Sequence, residues 1–144
     1  MTSKFSIAVI GGGMYGKNHV RCLQGSGRAR VAWVCNRRAE TAQQAASEFG
    51  IEHATSDYRQ ALADAGVQAV VIATPPYLHA EMLEDALQAG KHVLLEKPMV
   101  ANREDLGRVL AAVQAHPGLV VLEASCRHAR LQPLTKDCPH RFQF

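Results

Sequence analysis

Residues 5–16 read FSIAVIGGGMYG, a short apolar run that stops at three glycines. The apolar run, Phe5–Ile10, is typical of a buried strand. The following segment, Tyr15–Gly25, places Val20 and Leu23 among polar neighbours, as in an amphipathic helix. The sequence therefore predicts a strand, a glycine turn and a helix in immediate succession.

The glycine turn fits the pattern G-x-G-x-x-G, which indicates dinucleotide binding when it joins a strand to a helix. Gly11 permits the tight turn, Gly13 lets the backbone approach a diphosphate, and Gly16 allows the helix and strand to pack closely. With the intervening Met14 and Tyr15, these glycines are the first predicted cofactor-binding residues. Unpaired N–H groups at the helix start would face the phosphates. The alternative is a glycine-rich turn without a ligand, and flavin binding finds no support beyond this motif.

Strand-like and helix-like segments alternate along the rest of the chain. Strands are predicted at 5–10, 30–35, 52–53, 68–73, 91–96 and 118–124, and helices at 15–25, 39–49, 57–65, 79–89 and 102–115. This alternation is typical of an α/β fold with a doubly wound parallel sheet, covered by helices on both faces. We expect one domain over residues 1–133 and a tail of unknown structure over 134–144.

The composition is that of one ordinary globular domain. Of the 144 residues, 47% are apolar and 20% are charged, and the formal net charge is +3. A chain of this length buries a sizeable core, which excludes disordered proteins and disulfide scaffolds. Its apolar runs are far shorter than the roughly 20 residues of a membrane span, and it lacks a signal-peptide pattern. We therefore expect a cytoplasmic protein without membrane contact.

Two other ligand classes, nucleic acids and zinc, find less support in the sequence. The basic residues are spread along the chain, which favours a solvated surface over nucleic-acid binding. The pairs Cys126/His128 and Cys138/His140 repeat a C-x-H spacing that could supply four zinc ligands. That spacing matches no usual zinc ribbon or finger, so no metal site is predicted and zinc remains the alternative.

The end of the second predicted strand bears on which dinucleotide is bound. A carboxylate about 20 residues beyond the glycine motif would bind the adenosine ribose and repel a 2′-phosphate. This chain has Asn36 there, followed by Arg37 and Arg38. An amide beside two guanidinium groups suits a phosphate dianion, so these three residues are predicted to bind the cofactor, with NADP preferred to NAD. The alternative is that both arginines point into water.

Two later stretches complete a recognisable pattern. Residues 70–79 read VVIATPPYLH and residues 89–99 read AGKHVLLEKPM. With the glycine motif, they resemble the T-P-x-x-x-H and A-G-K-H-V-x-x-E-K-P signatures of the Gfo/Idh/MocA family of NAD(P)-dependent oxidoreductases. The resemblance covers about residues 5–133 and implies an N-terminal Rossmann domain. The family's second α/β domain supplies most substrate contacts, and we expect no counterpart of it within these 144 residues.

The resemblance also implies roles for particular residues. It places Thr74, Pro75 and His79 along the cofactor at the end of the fourth strand. It places Glu96 and Lys97 at the end of the fifth strand, near the nicotinamide. For His79 the alternative is an ordinary histidine at a helix start.

The lysine of the E-K-P signature is the predicted catalytic residue. An ammonium group at a strand end can stabilise a developing alkoxide or exchange a proton while hydride moves to or from the nicotinamide. By resemblance, the Lys97–Pro98 bond is expected to be cis. The alternative for Lys97 is a surface pair with Glu96 before a turn-forming proline.

The resemblance predicts an oxidoreductase that transfers hydride between nicotinamide and a sugar, cyclitol or related polyol. A small-molecule substrate would bind once a second domain is supplied. The face that would meet this domain is then bare, which predicts self-association as a homo-oligomer. The alternative is a dinucleotide-binding module, or a truncated product, without activity of its own.

Overall fold

The computed structural model describes residues 4–124, which form a layered α/β domain. Within this range six parallel strands form one sheet in the order β3-β2-β1-β4-β5-β6. The strands are β1 (Phe5–Ile10), β2 (Ala29–Cys35), β3 (His53–Thr55), β4 (Ala69–Ile72), β5 (His92–Glu96) and β6 (Val121–Ala124). The helices are α1 (Met14–Gly25), α2 (Ala39–Phe49), α3 (Tyr58–Ala63), α4 (His79–Gln88) and α5 (Arg103–Ala115), and a 3-10 turn at Pro76–Leu78 precedes α4.

The strand order places the glycine turn where the direction of winding reverses. From β1 the chain builds outward through β2 and β3, and it then returns to place β4 on the other side of β1. Connections after β1 and β4 therefore leave the sheet in opposite directions, and ligands of open α/β sheets bind in the resulting crevice. The predicted doubly wound parallel sheet is confirmed.

Alternating side chains of the central strand, β1, pack into two separate cores. On β1, Ala8 and Ile10 pack into one core with residues of α3, α4 and α5. Ile7 and Val9 pack on the opposite face with residues of α1 and α2. Because successive strand residues point to opposite faces, a strand covered on both sides must be apolar throughout. This explains why residues 7–10, the buried part of β1, are all apolar.

Two elements begin or end two or more residues inside their predicted bounds, each for a local reason. Helix α3 begins after Asp57, whose carboxylate accepts a hydrogen bond from the Arg59 N–H, and it ends at Asp64, whose backbone is extended. The Asp64 carboxylate instead accepts hydrogen bonds from Trp33 Nε1 and the Gly66 N–H, which hold a turn. Strand β6 covers only the part of 118–124 that pairs with β5, because the preceding residues form a turn.

None of the helices within residues 4–124 is long and apolar enough to span a bilayer. The same range contains no cluster of three or more potential metal ligands. The C-x-H pairs at 126–128 and 138–140 and the predicted tail at 134–144 lie outside the described residues.

Candidate dinucleotide-binding site

The glycine turn after β1 is closely packed at two of its glycines. Gly11 has a φ of +103°, a conformation that side chains disfavour, and its N–H donates to the Cys35 carbonyl at 2.8 Å. A Cβ atom on Gly11 would lie 2.6 Å from the Ala73 carbonyl oxygen, and one on Gly16 would overlap the Gly11 carbonyl oxygen. Backbone therefore occupies the space that side chains would need, and helix α1 starts close against β1.

Gly13, the middle glycine of the motif, faces open space. A Cβ atom on Gly13 would meet no atom within 4 Å, and its φ of −75° is one that any residue adopts, so neither packing nor backbone conformation requires glycine here. Gly13 caps α1 without a side-chain hydrogen bond, so the N–H groups of Met14, Tyr15 and Gly16 lack partners within the helix. The first turn also carries no acidic residue. A closely packed turn beside open space, with free amide donors, fits the diphosphate of a dinucleotide.

The end of β2 lies beside this turn. The Asn36 N–H donates to the Thr55 carbonyl at 3.1 Å, and its Oδ1 accepts the Arg37 N–H at 3.1 Å. Its Nδ2 lies against the glycine turn, 3.0 Å from where a Cβ on Gly12 would stand. Arg37 and Arg38 are exposed, and neither guanidinium group forms an ion pair with any residue in 4–124. The edge next to the turn therefore carries an amide and two unpaired cations.

The loop after β4 is attached to the loop after β5 by a buried histidine. His79, the first residue of α4, has a fully buried side chain. Its Nε2 lies 2.8 Å from the Thr74 carbonyl oxygen, and its Nδ1 lies 3.1 Å from the carbonyl oxygens of Pro98 and Met99. His79 thus lies at a helix start with both ring nitrogens next to backbone carbonyl oxygens, and direct contact with a cofactor stays a prediction. Of its neighbours, Thr74 is half-buried and Pro75 is exposed.

The E-K-P loop presents an exposed ammonium group next to α1. The Lys97–Pro98 bond is cis, as expected. Lys97 Nζ lies over the Tyr15 ring, 5.4 Å from its centroid, a distance at which a cation is attracted to the ring. Lys97 forms no ion pair with any residue in 4–124, so the surface pair with the Glu96 carboxylate is not what the structure shows. Met14 and Tyr15 are themselves 71% and 51% exposed.

Within residues 4–124 the Glu96 carboxylate contacts Lys97 and His19, and His19 is not among the predicted site residues. The Oε2 atom of Glu96 accepts the Lys97 backbone N–H at 3.0 Å, while its Oε1 lies 2.8 Å from His19 Nε2. His19 lies on the buried face of α1 with Gly16, Val20 and Leu23. That helical spacing was a usable signal, because it places a polar side chain on the face that meets the sheet.

The predicted residues therefore converge on one edge of the sheet. The glycine turn, Asn36, Thr74 and Lys97 follow β1, β2, β4 and β5, and in a parallel sheet these carboxyl ends meet on the same side. His79 lies beneath this edge rather than on it.

Comparison with known proteins agrees with this geometry. The family model described as "Oxidoreductase family, NAD-binding Rossmann fold" matches residues 5–123. An inositol 2-dehydrogenase of Mycolicibacterium gilvum is 38% identical, over 94% of this chain and 43% of its own. The chain spans between 27% and 43% of the length of the curated relatives it matches.

Two similar solved structures contain bound cofactors. A scyllo-inositol dehydrogenase from Lactobacillus casei, with NAD(H) and scyllo-inositol, has a TM-score of 0.81 and 26% identity, over 88% of this chain and 37% of that one. A 3-ketoreductase from Actinomadura kijaniata, with TDP-benzene and NADP, has a TM-score of 0.78 and 27% identity, over 90% and 42%. The resemblance drawn from the sequence is confirmed. Since the family model covers residues 5–123, the chain belongs to the Gfo/Idh/MocA oxidoreductase family and carries its NAD-binding Rossmann domain.

Proposed function

We propose that this domain binds a nicotinamide dinucleotide with its diphosphate at the start of α1, and that it serves an oxidoreductase acting on a sugar, cyclitol or related polyol. The observation that carries the proposal is the open space at Gly13, between two glycines that leave no room for a Cβ atom. When bound, the nicotinamide supplies the hydride chemistry, and the protein supplies position and charge. The residues proposed to line the cofactor are Gly11, Gly13, Met14, Tyr15, Gly16, Asn36, Arg37, Arg38, Thr74, Pro75, His79, Glu96 and Lys97.

Lys97 is the proposed catalytic residue. Its ammonium group is exposed at the carboxyl end of β5 and is not neutralised by a carboxylate within residues 4–124. An unpaired ammonium can donate a hydrogen bond to a substrate oxygen as negative charge develops there, and it can exchange a proton with that oxygen. Lys97 Nζ would therefore act on the substrate hydroxyl or carbonyl group.

We further propose that NADP is preferred to NAD. Asn36 presents no negative charge to a 2′-phosphate, and the adjacent Arg37 and Arg38 are free to bind one. Three structures similar to this chain contain NAD or NADH and a fourth contains NADP, so both cofactors are compatible with the fold. The charge at this edge favours the phosphorylated form.

The substrate class rests on relatives whose names include inositol dehydrogenases. A polyol would bind with residues of a second domain, because this chain matches less than half of each of those proteins. Self-association also stays a prediction, supported by the exposed apolar residues Leu106, Leu110 and Val120 on α5 and beside β6. Light scattering at high concentration would test it, and a monomeric mass would contradict it. A cytoplasmic location likewise stays a prediction.

Calorimetry with NADPH, NADH and ADP-ribose tests the proposal. We expect all three to bind, and NADPH to bind more tightly than NADH. Replacing Arg37→Ser and Arg38→Ser together should weaken NADPH binding by tenfold or more, since each charged contact to phosphate contributes about 1.5–3 kcal/mol, while NADH binding changes little.

A matched control is the pair Arg28→Ser and Arg30→Ser, which removes the same charge at the opposite end of β2. This pair should leave the ratio of NADPH to NADH affinity unchanged. Equal or tighter binding of NADH by the unmodified chain would contradict the cofactor preference. Failure of all three compounds to bind folded protein would contradict the proposed function.

A further inference from the structure

Helix α1 and the E-K-P loop meet through a polar contact that is largely shielded from water. His19 Nε2 lies 2.8 Å from Glu96 Oε1, and the two side chains are only 9% and 13% exposed. An ionised carboxylate only accepts hydrogen bonds, so the His19 Nε2–H donates in this contact. Because leaving a buried carboxylate unpaired is costly, the contact restricts where the Glu96 side chain can lie.

The same carboxylate restrains the backbone of the next residue. Glu96 Oε2 accepts the Lys97 N–H at 3.0 Å, so the two oxygens hold α1 on one side and the Lys97 backbone on the other. Tyr15 lies one helical turn before His19 on the same face of α1, and its ring lies under the Lys97 ammonium at 5.4 Å. Helix α1 therefore contacts both ends of Lys97, the backbone through Glu96 and the ammonium through Tyr15.

We propose that His19 is a positioning residue for Lys97: by holding the Glu96 carboxylate, it sets the direction in which the Lys97 side chain leaves the sheet edge. The inference rests on the proposed function, in which that ammonium acts beside the nicotinamide. It also links the diphosphate-binding helix to the catalytic group, because one helix carries both the phosphate-facing amides and His19.

Solution NMR of protein labelled on its lysine side chains tests the position of Lys97 directly. The Lys97 Cε–Hε signal, assigned by its absence in Lys97→Arg, should lie upfield of exposed lysines because it lies over the Tyr15 ring. His19→Leu removes the donor at similar size and should move this signal to the position of an exposed lysine. His19→Gln offers an amide N–H near the same place and should restore most of the upfield shift.

The second readout depends on the nicotinamide and would not respond to a role in packing alone. In the unmodified chain NADH should shift the Lys97 signal, and ADP-ribose, which lacks the nicotinamide, should shift it much less. In His19→Leu the affinity for both compounds should stay within about threefold, or roughly 0.7 kcal/mol, while the NADH-specific shift is lost. Arg21→Leu is the matched control on α1, since its exposed contact with Glu48 lies away from this site, and it should change neither readout.

Two results would overturn the inference: an unchanged Lys97 signal in folded His19→Leu, or an NADH-specific shift of that signal that persists in this variant. If His19→Leu does not fold, Glu96→Leu replaces it, because it removes the acceptors of both hydrogen bonds, and the same loss of the Lys97 shift is expected. Failure of NADH and ADP-ribose to bind the unmodified chain would instead contradict the proposed function. The position of Lys97 in the free protein would still be decided by the first readout.

Discussion

The glycines of the first turn serve different physical purposes. Gly11 and Gly16 are required by the fold, because backbone atoms occupy the space where their Cβ atoms would lie. Gly13 is not required by the fold, since its backbone is ordinary and the space beside it is empty. Because Gly13 also lies at the start of α1, beside N–H groups without partners in the helix, a bound ligand is the proposed reason for it.

Gly13→Asp should weaken dinucleotide binding without lowering the stability of the domain. Aspartate is a favourable residue at a helix N-cap, so the melting temperature should stay level or rise. The new carboxylate would compete for the free amides and repel a diphosphate, so affinity for NADPH and NADH should fall more than tenfold, as measured by calorimetry.

Gly16→Ala is the complementary variant. Its methyl group would overlap the Gly11 carbonyl oxygen, so α1 must shift away from β1. Overpacking of this kind costs about 1–3 kcal/mol, which thermal unfolding would detect. An unchanged melting temperature in Gly16→Ala, or full dinucleotide binding in Gly13→Asp, would contradict the assignment of these roles.

Among the connecting elements, the turn between α3 and β4 depends on a buried lysine. Lys91 directly precedes β5, and its Nζ donates to the carbonyl oxygens of Asp64 at 2.8 Å and Val67 at 2.7 Å. Within the A-G-K-H-V signature, the lysine is therefore a structural residue that joins β5 to a turn 24 to 27 residues earlier. The similar-looking lysine of E-K-P, six residues later, is exposed instead, with its ammonium group over the Tyr15 ring.

Lys91→Met should destabilise the domain without affecting cofactor binding. It keeps the length of the side chain but removes charge-assisted hydrogen bonds to two carbonyl oxygens, which we expect to cost about 2 kcal/mol in chemical denaturation. Lys17→Met is the control, because Lys17 forms an exposed ion pair with Glu48. Such pairs contribute about 0–1 kcal/mol to stability. If Lys17→Met lost as much stability as Lys91→Met, the structural role assigned to Lys91 would be contradicted.

The domain as a whole is held by two apolar cores on opposite faces of the sheet. Burial in this domain raises the pKa of two side chains, Cys35 and Tyr58. Burial, with a smaller contribution from Asp57, raises the pKa of the Cys35 thiol to about 12. Burial and the hydrogen bond to Asp85 also raise the pKa of the Tyr58 hydroxyl above its usual value. Both groups therefore stay protonated in the folded protein under conditions in which the unfolded chain ionises.

The free energy of unfolding should consequently fall as the pH rises above 9. Between pH 9 and 12 the unfolded state loses a thiol proton that folded Cys35 keeps, so ionisation favours unfolding by up to 1.36 kcal/mol per pH unit for that group. Denaturant titrations between pH 7 and 11 would measure the slope. Cys35→Ala should reduce it, and a slope identical in both proteins would contradict the assignment to Cys35.

Much of this architecture was predictable from local patterns. The apolar strands, the helix starts at residues 39 and 79, the Asn102 cap and the glycine turn all rest on signals within a few neighbouring residues. Predicted bounds differ from the observed ones by at most three residues, and those of β1 and α2 agree at both ends. The family signatures are local patterns as well. Each lies at the end of one strand, so together they indicated the sheet edge at which the candidate site lies.

Local sequence patterns did not predict the contacts between residues that lie far apart in the chain. His19 and Glu96 are separated by 77 positions, and His79 binds carbonyl oxygens 19 and 20 residues later. Periodicity indicates which face of a helix is buried, but it carries no information on which distant group that face will meet. That pairing arises only when the sheet order brings α1 and the loop after β5 together, because burial then requires each polar group to find a partner.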